Sequence, residues 1–316
     1  MPLLKSIDAS AAVQLTSVSY DAFNESPFVE NVDFSNSPLK TFEGFYYKTP
    51  VRAIASGGTR FPAPCIANRL KKVVLPPTLE YFDAFRGSPL LTELRLDHCC
   101  NLEVIRGLQD CTNLESLYIP SGLKEFALTL SGNDNLASII TAAHTPPTVS
   151  SNTIKSKLSE ISLYVPVGKV GIYGMNEWWG DCKEVKEYGY TVNCGEDGAA
   201  RAIGCCGIYE KGSKVTLTAP PPYVNEKSML ANCVAWEVNG EIMKGATVSF
   251  SIDQHCEVAP VYRFSAADLK LADLYFELES ETGGAHEIYL YGLDDVEVYD
   301  EKNGRIYKSN SVELLM

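Results

Sequence analysis

Two dipeptides set a histidine beside a cysteine, His98-Cys99 and His255-Cys256, the residue types of a thiol nucleophile and its base. Adjacency in sequence is not the spatial geometry that such a pair needs, so these two histidines, with His144 and His286, are read as buried or turn-forming. None of the four is spaced as a metal ligand along a helix. The chain holds 10 cysteines but no C-x-x-C pair, the spacing that lets two thiolates face one zinc ion. In an exported protein, disulfides between Cys205 or Cys206 and Cys194, Cys233 or Cys256 are allowed, with connectivity open. Asp294, Asp295 and Asp300 stand near a Lys-Asn-Gly turn at 302–304 and raise calcium, but their spacing does not match D-x-[DN]-x-[DN]-G. Phosphate-binding glycine loops and the G-x-S-x-G elbow do not occur. Trp178 and Trp179, with Tyr173, could stack on sugar faces, or could cap an exposed core edge. No catalytic, cofactor-binding or metal-binding residue is expected, and the chain is read as non-enzymatic.

The net charge of −13 and pI near 4.8 have the wrong sign for a phosphate backbone, which excludes nucleic acid as a partner. No apolar run reaches the roughly 18 residues of a transmembrane helix. The start, MPLLKSIDAS, lacks the basic and apolar regions of a secretory leader, so either the protein stays inside or a leader has been removed. Residues 264–316 carry −8 of the net charge, a step that marks a separate acidic unit.

The elements that position any site come from a repeat. An apolar residue, two variable ones, an apolar one, one variable and a third apolar one recur as VENVDFS (Val29), LKKVVLP (Leu70), LTELRLD (Leu91), LESLYIP (Leu114) and LASIIT (Leu136). From Leu70 the starts step by 21, 23 and 22 residues. A weaker copy, VRAIAS, begins at Val51, and LSEISLYVP begins at Leu158. Second apolar motifs lie between them: LTSVSYDAF, LKTFEGF, LEYFDAF, LEVIRGL and LKEFALTL. One such unit cannot bury its apolar side alone, so neighbours must stack into a solenoid of short strands.

The strands in GLQDCTNLESLYIP and DAFRGSPLLTELRL, and the closing stretch LYVPVGKVGIYGMNEWWGDCKEV, resemble the BspA-like leucine-rich repeats of bacterial surfaces. The resemblance covers residues 1–188 and implies a mainly β repeat protein, a leucine-rich-repeat solenoid with a right-handed superhelix. It also implies a binding or adhesion scaffold at the cell surface or outside the cell, with its signal or lipid anchor absent from this chain. Cys111 matches the buried cysteine of that pattern. His-Cys-Cys-Asn at 98–101 departs from it, as does the Gly- and Pro-rich segment 49–69.

Residues 189–263 read as a small all-β domain: KVTLTA, CVAWEV and TVSFSI alternate as half-buried strands, and Asn239-Gly240 marks a tight hairpin. The pattern YxKGxxVTLTAxP, then the W-x-x-N-G hairpin, then the terminal VAPVY resembles divergent internalin-type B-repeat modules, which implies a spacer or weak ligand-binding unit. Residues 264–316 continue as acidic, β-rich sequence, with DVEVYD and GRIYKS as a hairpin.

The third and fifth positions of each strand motif should point away from the solenoid interior and form a ribbon. In order these are Asn31 and Asp33, Ala53 and Ala55, Lys72 and Val74, Glu93 and Arg95, Ser116 and Tyr118, Ser138 and Ile140, then Ser162 and Tyr164. Lys72, Val74, Glu93, Arg95, Ser116, Tyr118, Ser138 and Ile140 form its centre, a charged and apolar mixture suited to protein recognition. The expected partner is a host matrix protein or another surface protein, with a glycan as an alternative. A structural spacer or envelope assembly subunit is the alternative without a soluble ligand.

Overall fold

The computed structural model describes residues 4–19, 22–23, 26, 28–44, 69–128, 130–150, 154–225 and 229–266, with strands at 287–289, 296–300, 305–309 and 313–315. The chain is mainly β and begins as a solenoid of about six turns. Its strands follow in order as β1 (Ser6–Asp8), β2 (Ser17–Val18), β3 (Asn31–Asp33), β4 (Thr41–Gly44), β5 (Lys72–Val74), β6 (Tyr81–Ala84) and β7 (Glu93–Arg95). Then come β8 (Val104–Gly107), β9 (Ser116–Ile119), β10 (Glu125–Phe126), β11 (Ser138–Thr141), β12 (Thr148–Val149) and β13 (Ser162–Pro166).

Odd and even strands alternate between two parallel ladders. The even strands run unbroken from β2 to β12, while the odd ones form β1-β3-β5 and a second run that begins β7-β9-β11-β13. The second apolar motif of each repeat is therefore also a strand. Apolar positions one, four and six of the first motif point inward: Leu91, Leu94 and Leu96, then Leu114, Leu117 and Ile119, are buried. From the even side Phe42 meets Phe34 edge-on at 5.6 Å and stacks on Phe82 at 6.2 Å. Asn113 and Asn135, each just before the motif's first leucine, donate to Pro89 O and Thr112 O of the preceding turn, at 2.7 and 2.8 Å.

Three details of the repeat differ from the sequence reading. β3 pairs directly with β5 (Asn31 beside Lys72, Asp33 beside Val74), without the intervening pair that the row of Ala53 and Ala55 expects. They and the weak copy at Val51 lie outside the described residues. The last copy starts later than Leu158, since Leu163 stands beside Ile139. A further copy stands at the start, where Leu4, Ile7 and Ala9 repeat the spacing and Ser6–Asp8 pair with Asn31–Asp33.

Gly107 of the LEVIRGL motif ends β8 at φ +86°, and a Cβ there would run into the Ala84 backbone of the preceding turn. Gly107→Ala combines left-handed strain with overpacking and is expected to cost about 2–3 kcal/mol. A urea titration checks it; an unmoved midpoint would sink the assignment.

Beyond β12 come α1 (Lys155–Leu158), then β13, α2 (Val170–Gly174) and a 3-10 turn at Trp179–Asp181. Trp179 and Tyr173 close the end of the solenoid core. Trp179 Nε1 donates to Pro147 O at 2.8 Å, its ring meets Phe126 at 5.0 Å, and Tyr173 donates to Ala143 O at 2.9 Å.

β14 (Glu184–Asn193) serves both parts of the chain. It extends the odd ladder in parallel beside β13, then pairs antiparallel with the module's first strand, so the ladder runs through the boundary at 188/189. The module continues with α3 (Gly198–Ala202), β15 (Gly207–Tyr209), β16 (Lys214–Thr218), β17 (Tyr223–Val224), β18 (Met229–Val238), β19 (Glu241–Lys244), β20 (Thr247–Ser251) and β21 (Cys256–Ala266). Asn239 and Gly240, both at positive φ, join β18 to β19 in a two-residue turn, as the sequence predicts. β16 and β20 pair antiparallel, and Trp236 sits at 0% exposure in the module's core. In the tail, β22 (Glu287–Tyr289) pairs with β25 (Glu313–Leu315), and β23 (Val296–Asp300) forms the expected antiparallel pair with β24 (Arg305–Ser309). Asp294, Asp295 and the 302–304 turn fall outside the described residues.

Candidate functional site

Parallel, in-register pairing turns a one-dimensional spacing into two straight rows. Glu93, Ser116, Ser138, Ser162 and Glu184 stand side by side, and above them Arg95, Tyr118, Ile140, Tyr164 and Lys186. Neighbours in a row are about 4.8 Å apart, the strand spacing. The lower row is open: its serines are half-buried, Glu93 is exposed, and Ser162 Oγ donates to Glu184 Oε1 at 2.8 Å. The upper row is an aromatic and cationic layer. Arg95 lies 4.0 Å above the Tyr118 ring while its guanidinium grips Asp97 through two bonds of 3.2 and 2.9 Å. Tyr188 sets its ring edge-on to Tyr118 and Tyr164, at 6.4 and 6.2 Å.

The eight ribbon residues do not form one surface. Lys72 and Val74 belong to the β1-β3-β5 ladder, across the break from Glu93 and Arg95. Ile140, placed outward by its register, is 4% exposed because Ile208 of β15 packs on it with Ala142. The module thus covers part of the strand face. Tyr209, next along β15, has its hydroxyl pushed above the usual range by burial and by the Asp97 carboxylate. The open remainder consists of Glu93, Arg95, Ser116 and Ser138, extended by Ser162, Glu184 and Lys186, beside half-buried Tyr118 and Tyr164.

The departure at 98–101 is the docking point. Where the odd ladder breaks after β5, His98 Nε2 donates to Leu75 O at 2.9 Å. Cys100 forms a disulfide with Cys206 of the module, and Asn101 accepts from Arg201 Nη1 at 3.2 Å. Gly204, at φ +69°, brings the module backbone onto Pro77 and His98 O, where a Cβ would lie 3.0 Å from Pro77 Cγ. A second disulfide joins Cys194 to Cys205, as allowed from sequence; the partner of Cys206 comes instead from the solenoid. Cys233 and Cys256 are buried free thiols, and Cys111 is buried as its motif predicts.

A second polar contact ties the two parts together. Thr191 Oγ1 is shared by His144 Nε2 at 2.7 Å and His255 Nδ1 at 3.0 Å. Thr191 N–H also donates to His255 Nδ1, which leaves the His255 proton on Nε2, directed at Val167 O 2.9 Å away. Burial, then the neighbouring His255 and Lys169, lower the His144 pKa to about 4. Because the unfolded chain takes up that proton near pH 6.5, the stability tied to neutral His144 is complete above about pH 6.5. It is lost as pH falls toward 4. His144→Gln should flatten the dependence of the urea midpoint between pH 7 and pH 5; an unchanged slope would refute the assignment.

The remaining candidates resolve individually. Cys99 Sγ lies 3.8 Å from His98 Nε2, but burial and then Asp97 drive its thiol far above the usual range, and that nitrogen's proton goes to Leu75 O. A buried thiol without an available base is no nucleophile. Trp179 and Tyr173 have 0% exposure and present no ring face to a sugar, while Trp178 is half-buried. Comparison with family models, curated proteins and solved structures returned no match.

Proposed function

We propose that this chain is a non-enzymatic recognition protein that binds a protein partner along the open strand face of its solenoid. The observation that carries this reading is the in-register row of Glu93, Ser116, Ser138, Ser162 and Glu184 beside the aromatic layer. A preformed face costs little ordering on binding, and tyrosines flanked by small polar residues are a recognition chemistry. The resemblance of the repeat motifs to those of BspA-like surface proteins favours a host matrix protein or another surface protein as partner and a place outside the cell. Two disulfides accord with an oxidising compartment. The first β module serves as a clamp on the face rather than an extended stalk.

The test is a screen of the purified chain against arrayed matrix proteins and glycans, beside a Ser116→Arg, Ser138→Arg variant. These substitutions crowd the open row without touching Arg95, whose removal would strand buried Asp97. A hit weakened about tenfold or more, roughly the loss of one anchor contact, supports the reading. Hits that survive place recognition elsewhere and overturn it. No hit, with self-association at fixed stoichiometry, favours an assembly subunit.

A further inference from the structure

We infer that Cys205 is the entry point of a two-disulfide relay that takes electrons from a low-molecular-weight dithiol. Four half-cystines meet where the module docks: Cys100 is bonded to Cys206 and Cys194 to Cys205. The bridges touch, with Cys100 Sγ 3.9 Å from Cys194 Sγ, and Cys205 and Cys206 are consecutive. All four are nearly covered, at 1–5% exposure. The approach is a cavity of about 210 Å³ lined by Ile203, Gly204 and Cys205 on one side and residues 216–219 on the other. Of the four cysteines, Cys205 alone lines it.

Exchange proceeds by thiolate attack on a disulfide sulfur, so contact between bridges decides where the electrons go. One thiolate of the dithiol attacks Cys205 Sγ, forming a mixed disulfide and breaking the bond to Cys194, which leaves as thiolate. Cys194 Sγ, already against Cys100 Sγ, attacks it; a Cys100–Cys194 bond forms, and the electron pair of the broken bond goes to Cys206 Sγ, which takes up a proton. The dithiol's second thiol then attacks the mixed disulfide, closes as a cyclic disulfide and releases Cys205 as a thiol. The reagent has lost two electrons and two protons; the protein has exchanged two bridges for one, with Cys205 and Cys206 reduced. Because Cys194 also belongs to the module, the covalent link from solenoid to module survives this first reduction.

The test uses the full oxidised chain with one equivalent of dithiothreitol, alkylation of the native protein with N-ethylmaleimide, and peptide mapping against an unreduced control. New label on Cys205 and Cys206, with a bridged Cys100–Cys194 peptide, is the expected result. Label on Cys194 and Cys205 with Cys100–Cys206 intact overturns the relay, and first labelling of Cys100 and Cys206 with Cys194–Cys205 intact overturns the entry point. Thr218→Trp, on the exposed side of β16 at the cavity, should slow labelling about fivefold or more, since exchange depends on access. An unchanged rate overturns the cavity as the route.

Discussion

Trp179→Ala is expected to lower the unfolding free energy by about 3–5 kcal/mol, the range for emptying a large aromatic site in a closed core. The last turn of a repeat stack has a neighbour on only one side, so its apolar edge must be covered by something that is not a repeat. Trp179 does this with a ring that touches Phe126 and Tyr173 and an indole N–H that satisfies Pro147 O. Alanine removes the ring contacts, leaves a void and leaves that carbonyl without its donor, three losses at one place. Half-buried Trp178 is the control, and Trp178→Ala should cost clearly less. Equal shifts of the denaturation midpoint would show that Trp179 is not the closing residue.

Removing the Cys100–Cys206 bridge by a paired Cys100→Ala, Cys206→Ala change should be of similar size. The bridge spans a sequence separation of 106 residues, and closing a loop of that order in the unfolded chain is worth about 4–5 kcal/mol in the chain-entropy account. Replacing both cysteines avoids a free thiol beside Cys194–Cys205 that could reshuffle it. Denaturation without reductant measures the effect. A loss below about 1 kcal/mol would mean that the unfolded chain already holds these ends together.

The solenoid was legible because each turn repeats the same apolar spacing, and Leu94, Leu117 and Ile139 fall inward as that spacing requires. The spacing misled where it was the only signal. VRAIAS satisfies the pattern weakly within a Gly- and Pro-rich segment, yet β3 pairs with β5 without it. At the last copy two overlapping registers were available, and pairing with β11 selects the later one. The candidate face was legible by row but not by exposure. Ile140 points outward by register, and Ile208 of the returning β15 packs on it with Ala142 and the flanking tyrosines, a contact between distant segments that no local pattern encodes. The irregular His-Cys-Cys-Asn was visible as a departure, but its meaning needed Cys206 and Arg201 brought alongside.

The same bridge sets how the molecule carries load. Tension along the backbone between residues 99 and 207 runs through the Cys100–Cys206 bond, so the turns from β8 to β13 and the start of the module are bypassed. Fully extended, that shielded stretch would add about 350 Å of length, which the intact chain withholds. The rows from Ser116 and Tyr118 to Glu184 and Lys186 lie inside the shielded stretch, while β7, with Glu93 and Arg95, lies before the bridge and stays in the load path.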